Sequence, residues 1–162
     1  MTDRRTHMNW MLPELEAMRH AVADGAAAEK EPVSRRAFAY QEGAFSDIRG
    51  KVSSMWFDVE LELRGKTYGD ADEDVELIFA ERLSRWLRGH AAYAAGVAED
   101  GAKIDPSRVK AKADQLQTYL AGHRLYAIRH HAMVAGYCNR VATALEHRAD
   151  ELRKAMSYSN VG

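Results

Sequence analysis

Cations interleaved with aromatic rings are the residues of this chain whose types and spacing best fit a chemistry. Lys103, Arg108, Lys110 and Lys112 come close together, Arg124 and Arg129 follow, and His130-His131 comes directly after. Tyr119 and Tyr126 fall among them. Lysine and arginine follow phosphates and rings stack on bases, so the pattern suits a single-stranded nucleic acid. A solvated helix face with tyrosines turned to the core has the same spacing, and spacing by itself does not separate the two.

Other chemistries find less support. Two helical histidines chelate one ion best four residues apart. His123 and His130 are seven apart, about 10 Å along a helix axis, and His147 with Glu151 makes half a site. No Glu-x-x-His occurs, so the di-iron bundle pattern is missing. Gly65-Lys66-Thr67 matches the tail of a phosphate-binding loop, but the required earlier glycine is Glu60, a carboxylate that would repel phosphate. Those three residues read as a polar turn. Cys138, the only cysteine, stands among small residues as a compact hydrophobe. The carboxylates of Asp70 to Glu76 read as the start of a helix matched to its dipole. No catalytic group, cofactor or metal is expected, and the chain is not expected to be an enzyme.

The charge is divided unevenly. The 162 residues carry a net charge of −1, yet residues 58–81 hold nine acidic and two basic groups while residues 103–162 hold ten basic and five acidic. Such polarity suits contact between unlike patches and leaves a positive surface for a polyanion. Hydrophobic content of 46% and charged content of 29% describe a folded domain. One cysteine excludes an internal disulfide and fits a reducing compartment. No apolar run is long enough to span a membrane, and no secretory pattern opens the chain. A cytoplasmic protein is expected, in the host cytoplasm if phage-encoded.

The elements that would position these groups are helices. Only three prolines interrupt the chain. A first helix is predicted from about Trp10 to Ala23, capped by Asn9, with Leu15, Met18 and Val22 inward and Asp24-Gly25 as its stop. A second runs from the Ser34 cap to about Arg64, with a seam of Phe45, Ile48, Val52, Met55, Val59 and Leu63 that wants a partner. Trp56 and Phe57 widen its apolar face, and Gly43 and Gly50 read as points of close helix approach. Asp70 caps a third, with Val75, Phe79, Trp86 and Leu87 inward and a thin alanine-rich extension from Ala91 to Ala98, broken by Gly96 and Gly101. Asp105-Pro106 opens the last and longest helix, to Tyr158. Its seam includes Val109, Leu116, Leu120, His123, His130, Val134, Tyr137 and Val141, with a second stripe through Cys138 and Leu145. The expected fold is all-α: an elongated hairpin or bundle of about four helices forming one domain over 1–162. Its parts are an N-terminal helix and linker (1–33), two central helices (34–102) and a long C-terminal helix (103–158).

Tyr137-Cys138, Ala144-Leu145-Glu146-His147-Arg148 and Leu152-Arg153-Lys154 resemble the closing helix of the UvsY-type recombination mediators of T4-like phages. Leu63-Arg64-Gly65-Lys66-Thr67-Tyr68-Gly69, running into Asp70 to Glu76, is a second and vaguer similarity. This chain departs from the pattern in having an extra N-terminal helix and few lysines over 34–62. The resemblance implies a non-enzymatic protein that self-associates, binds single-stranded DNA and helps a RecA-like recombinase displace a single-strand-binding protein. It also implies DNA contact at Arg64 and Lys66.

The expected function is therefore a single-stranded-DNA-binding recombination mediator. Its nucleic-acid contacts would be Arg64, Lys66, Lys103, Arg108, Lys110, Lys112, Arg124 and Arg129. Self-association is expected through Leu116, Leu120, Val134, Tyr137, Val141, Leu145 and Leu152, because the long seam has too little of its own chain to cover it. The alternative is a helical structural or adaptor protein, such as a phage assembly or DNA-packaging component, acting through protein contacts.

Overall fold

The computed structural model describes residues 6–30, 32–66, 72–103 and 114–159, and side chains for 10–30, 35, 38–63, 75–100, 102–103 and 128–157 of them. Every described residue except Glu29 and Lys30 is helical. Four helices follow one another: α1 (Thr6–Ala28), α2 (Pro32–Lys66), α3 (Asp72–Lys103) and α4 (Asp114–Ser159).

Contacts between helices give their directions. Glu16 and Arg49, Arg19 and Glu42, and Gly25 and Phe38 pair α1 with α2 in opposite senses. Lys51 with Trp86 and Trp56 with Phe79 set α3 against α2 in the same way. Arg88 with Glu146 and Arg153 with Glu81 make α3 and α4 antiparallel. Phe38 with His130 and Phe45 with Tyr137 make α2 and α4 parallel. The result is an up-down-up-down four-helix bundle.

Each helix turns one apolar stripe inward. Met11, Leu15 and Val22 come from α1; Phe45, Ile48, Val52 and Trp56 from α2; Phe79, Leu83 and Leu87 from α3; Val134, Val141 and Leu145 from α4. Ala91 and Ala94 belong to the same core. The alanine-rich stretch is thus no loose extension. Its small side chains let α4 approach closely, and α3 runs unbroken through Gly96 and Gly101 to Lys103.

Several sequence-based boundaries shift. α1 starts before Asn9, so Asn9 is no cap, and Pro13 lies inside the helix. It also passes through Gly25, where a Cβ would come within 3.0 Å of Phe38 Cε1. That glycine makes room for a neighbouring ring and does not stop the helix. The helix end is instead closed by Arg35, whose guanidinium donates to the Glu29 carbonyl at 2.9 and 3.2 Å. At Gly43 and Gly50 an added Cβ meets nothing within 4 Å, so neither marks a close approach inside the chain. Phe57 does not widen the inner face of α2, because it is 58% exposed. Asp105-Pro106 and the rest of 104–113 lie outside the described residues.

Candidate nucleic-acid interface

Arginine is the commonest charged partner in the bundle, and most described arginines are engaged. Arg88 donates Nε and Nη2 to the two oxygens of Glu146 at 3.0 Å, Nη1 to Asn139 Oδ1 at 2.9 Å, and Nη2 to Thr143 Oγ1 at 2.9 Å. Arg148 reaches Glu76 at 2.8 Å, Arg82 reaches Glu62 at 2.8 Å, and Arg153 reaches Glu81 and Asp150. Arg88 in turn holds the Glu146 carboxyl below the usual carboxylate range. The acidic stretch and the basic C-terminal block are therefore unlike patches that meet within one chain. Because these pairs are largely solvated, each adds at most about 1 kcal/mol and acts chiefly in choosing partner and register. Between α3 and α4 they line a hollow of about 500 Å³ with three arginines and three carboxylates, a balanced surface. Of those arginines, Arg85 is exposed with no partner among the described residues.

The eight cations read from the sequence do not converge. Arg64 and Lys66 lie in the last turn of α2. Lys103 ends α3, and Arg129 lies at the level of its last turns on α4. Parallel pairing of α2 with α4 puts the first two at the opposite end of the bundle from the others, about 36 Å along α2 from Tyr40 at 1.5 Å per residue. Arg108, Lys110 and Lys112 lie outside the described residues, and Arg124 is in α4 without a described side chain. Gly65 and Lys66 are helical, which removes them from any phosphate-binding loop.

Between the middle of the bundle and its Lys103 end the structure adds two rings, Tyr40 and Tyr93, that the sequence pattern did not pick out. Tyr40 stacks on His131 with centroids 3.7 Å apart. Tyr93, 64% exposed, stands near Tyr40 and 6.4 Å from the ring of His90, which stacks on Trp86 at 5.0 Å. Lys51 lies 5.8 Å over Trp86. Burial raises the Tyr40 phenol, with the neighbouring Tyr93 adding to it. Lys103 is 69% exposed and reaches Glu99 and Asp100 of its own helix at 3.7 and 3.9 Å, while Arg129 is exposed. These rings come from three helices, so no linear spacing announces them.

His130 belongs to the core and not to a surface. It is 5% exposed, with Phe38 edge-on at 5.0 Å. Its Nδ1 lies 2.5 Å from Gln41 Oε1. An amide oxygen only accepts, so Nδ1 carries the proton. Burial depresses its pKa, and Arg129 and His131 push the same way. His90 is depressed by burial too, against a smaller opposing effect of Asp47, and its Nε2 is buried with no partner among the described residues. His147 is exposed, and Glu151 is held by Arg148 at 3.3 Å. Among the described residues no group of His, Cys, Asp or Glu could hold a metal. None of their helices is long and apolar enough to cross a membrane.

The residues read as an oligomer seam divide into two sets. Val134, Tyr137, Val141, Leu145 and Leu152 are at most 4% exposed within the single chain. Their cover comes from the chain itself, chiefly α3, and they present no open seam. Leu116 and Leu120 are in α4 without described side chains. Tyr137, Cys138, Leu145 and Leu152 also carry much of the resemblance at 137–154, so that stretch speaks to packing before function. Burial raises the Tyr137 phenol and pushes the Cys138 thiol up to about 11. A buried thiol of that kind is mostly protonated and a poor nucleophile. Comparison with protein-family models, curated proteins and solved structures gives no significant match.

Proposed function

We propose that this chain is a non-catalytic binding protein whose ligand is single-stranded DNA, acting as a recombination mediator that helps load a RecA-like recombinase against a single-strand-binding protein. The observation that carries the reading is that exposed Lys103 and Arg129 lie towards the same end of the bundle as the Tyr40–His131 stack and exposed Tyr93, Lys103 being about 15 Å along α3 from Tyr93. Cations beside accessible rings are what a flexible, unpaired strand needs: phosphate neutralisation and a surface for bases. Arg108, Lys110 and Lys112 follow Lys103 directly in sequence and would add to the same charge. The mediator role in particular comes from the resemblance at 137–154, whose Tyr137, Cys138, Leu145 and Leu152 also serve the core. Arg64 and Lys66, at the other end, are left as a separate and smaller contact.

Anisotropy of a labelled single-stranded oligonucleotide tests this. Affinity should fall steeply with salt, the logarithmic slope being about −0.7 per phosphate contacted. Joint reversal of Lys103 and Arg129 to glutamate should weaken binding with the helical signal unchanged. Absence of binding at low salt would refute the reading. A helical structural or adaptor protein is the second reading, favoured by the engagement of most described arginines within the chain and by Phe57 and Leu61, both more than half exposed on α2.

A further inference from the structure

The outward face of α2 is unusual for a solvated helix. Gly43 and Gly50 lie on it with open space above them. Ser46, Ser53 and Ser54 are exposed along it, and Phe57 and Leu61, one turn apart, are 58% and 52% exposed. From Gly43 to Leu61, about 27 Å at 1.5 Å per residue, Asp47 is the one charged side chain among these small and apolar residues, on the side towards His90 of α3. The other charges stand on the margins. Arg49 marks the margin beside α1, where it reaches Glu16 at 3.2 Å, and Glu60 falls on the same margin. Lys51 marks the margin beside α3, over Trp86, and Asp58 follows it two turns later.

The geometry points to a second copy of this chain as the occupant, in an antiparallel two-fold dimer centred between Ser54 and Met55. In an antiparallel pair each margin meets its own counterpart, and residues equally far from the centre on opposite sides come together. Arg49 and Glu60 are equally far from that point, and so are Lys51 and Asp58. Two couples of opposite charge, one on each margin, favour the same register; Asp47 and Glu62, also equally far from the centre, oppose it, but Arg82 already neutralises Glu62 at 2.8 Å. At that register Phe57 faces the partner's Gly50, Ser53 and Ser54. Leu61 faces the partner's Gly43, Ser46 and Gly50, with Asp47 as the fourth corner of the hole. The bulky residues of one copy meet the bare positions of the other, as knobs meet holes.

Existing bonds leave capacity for these contacts. Glu60 accepts the Trp56 indole N–H at 2.8 Å and Arg49 donates to Glu16, but a carboxylate has about four acceptor sites and a guanidinium five donors. A single helix face buries less than the roughly 800 Å² per partner of a standard interface. The pairing is accordingly reversible and concentration-dependent. It also explains mid-helix glycines that serve no packing need within the chain.

Sedimentation of the full chain over a wide concentration series reads the association. The chain should dimerise, and Phe57→Glu should weaken the dimer at least about 30-fold, as loss of a central anchor does. Lys51→Glu should weaken it less, and adding Asp58→Lys should restore it. Cys138 is buried, so an introduced cysteine reports cleanly. Ser54→Cys, near the two-fold, should form a disulfide with its mate. Gly43→Cys should not, because its mate lies about 35 Å away along the axis. A monomer at every concentration overturns the proposal. So does a dimer indifferent to Phe57→Glu, or cross-linking through Gly43→Cys as ready as through Ser54→Cys.

Discussion

Leu145→Ala should destabilise the folded single chain and leave association between copies unchanged. Leu145 is fully buried, in one cluster with Leu83, Leu87 and Val52. Truncation removes three carbons, worth about 2.5 kcal/mol at roughly 0.8 per methylene. The cavity left between well-packed helices raises the total to about 3–5 kcal/mol. With an m-value of about 2 kcal/mol per molar urea, the midpoint should fall by roughly 2 M. The assay is urea unfolding followed by far-ultraviolet circular dichroism, at concentrations where the monomer prevails. Leu61→Ala is the control: at 52% exposure it should cost under about 1 kcal/mol in the monomer. A loss below about 1 kcal/mol for Leu145→Ala, or weakened association without a loss of monomer stability, would refute the single-chain core and return the α4 seam to an interface between copies.

Three further outcomes follow from particular residues. Gly43→Ala, with open space around it, should raise monomer stability by about 1 kcal/mol through helix propensity, whereas Gly25→Ala should fall short of it because Phe38 must move; equal thermal shifts would contradict that packing. His90 and His130 have depressed pKa values, so the unfolded chain binds their protons first. Their contribution to stability should be intact above the unfolded value near 6.5 and lost as pH falls from there towards the folded values; a melting temperature unchanged between neutral pH and pH 5 would exclude this. Cys138, raised to about 11 and buried, should react with a thiol reagent only after denaturation, and rapid labelling of the native chain would show its environment to be open.

The number of helices and their inward stripes were legible in the sequence because apolar residues such as Leu15, Met18 and Val22 of α1 and Phe45, Ile48, Val52 and Met55 of α2 recur at spacings of three and four. What periodicity does not give is the identity of the partner. The α4 seam was expected to need another copy, yet over its described side chains α3 and α2 cover it, partly with alanines (Ala91, Ala94) that carry little weight in a hydrophobic pattern. Glycine misled in two directions. Gly25 accommodates a ring from the next helix, which no local rule reveals, while Gly43 and Gly50 face outward. Charge asymmetry was visible, but the pairing of Glu76 with Arg148 and Glu81 with Arg153 requires the antiparallel packing of α3 and α4. The candidate site was half legible for the same reason. Lys103 and Arg129 stand out in the chain, whereas Tyr40, Tyr93 and His131 come together only once three helices have packed.

Amide chemical-shift mapping of isotope-labelled protein during titration with a single-stranded oligonucleotide tests the proposed function most directly. The largest shifts should fall on 93–103 at the end of α3, on 128–133 of α4 and around Tyr40. Shifts confined to the last turn of α2 around Arg64 and Lys66, or none at low salt, would contradict it.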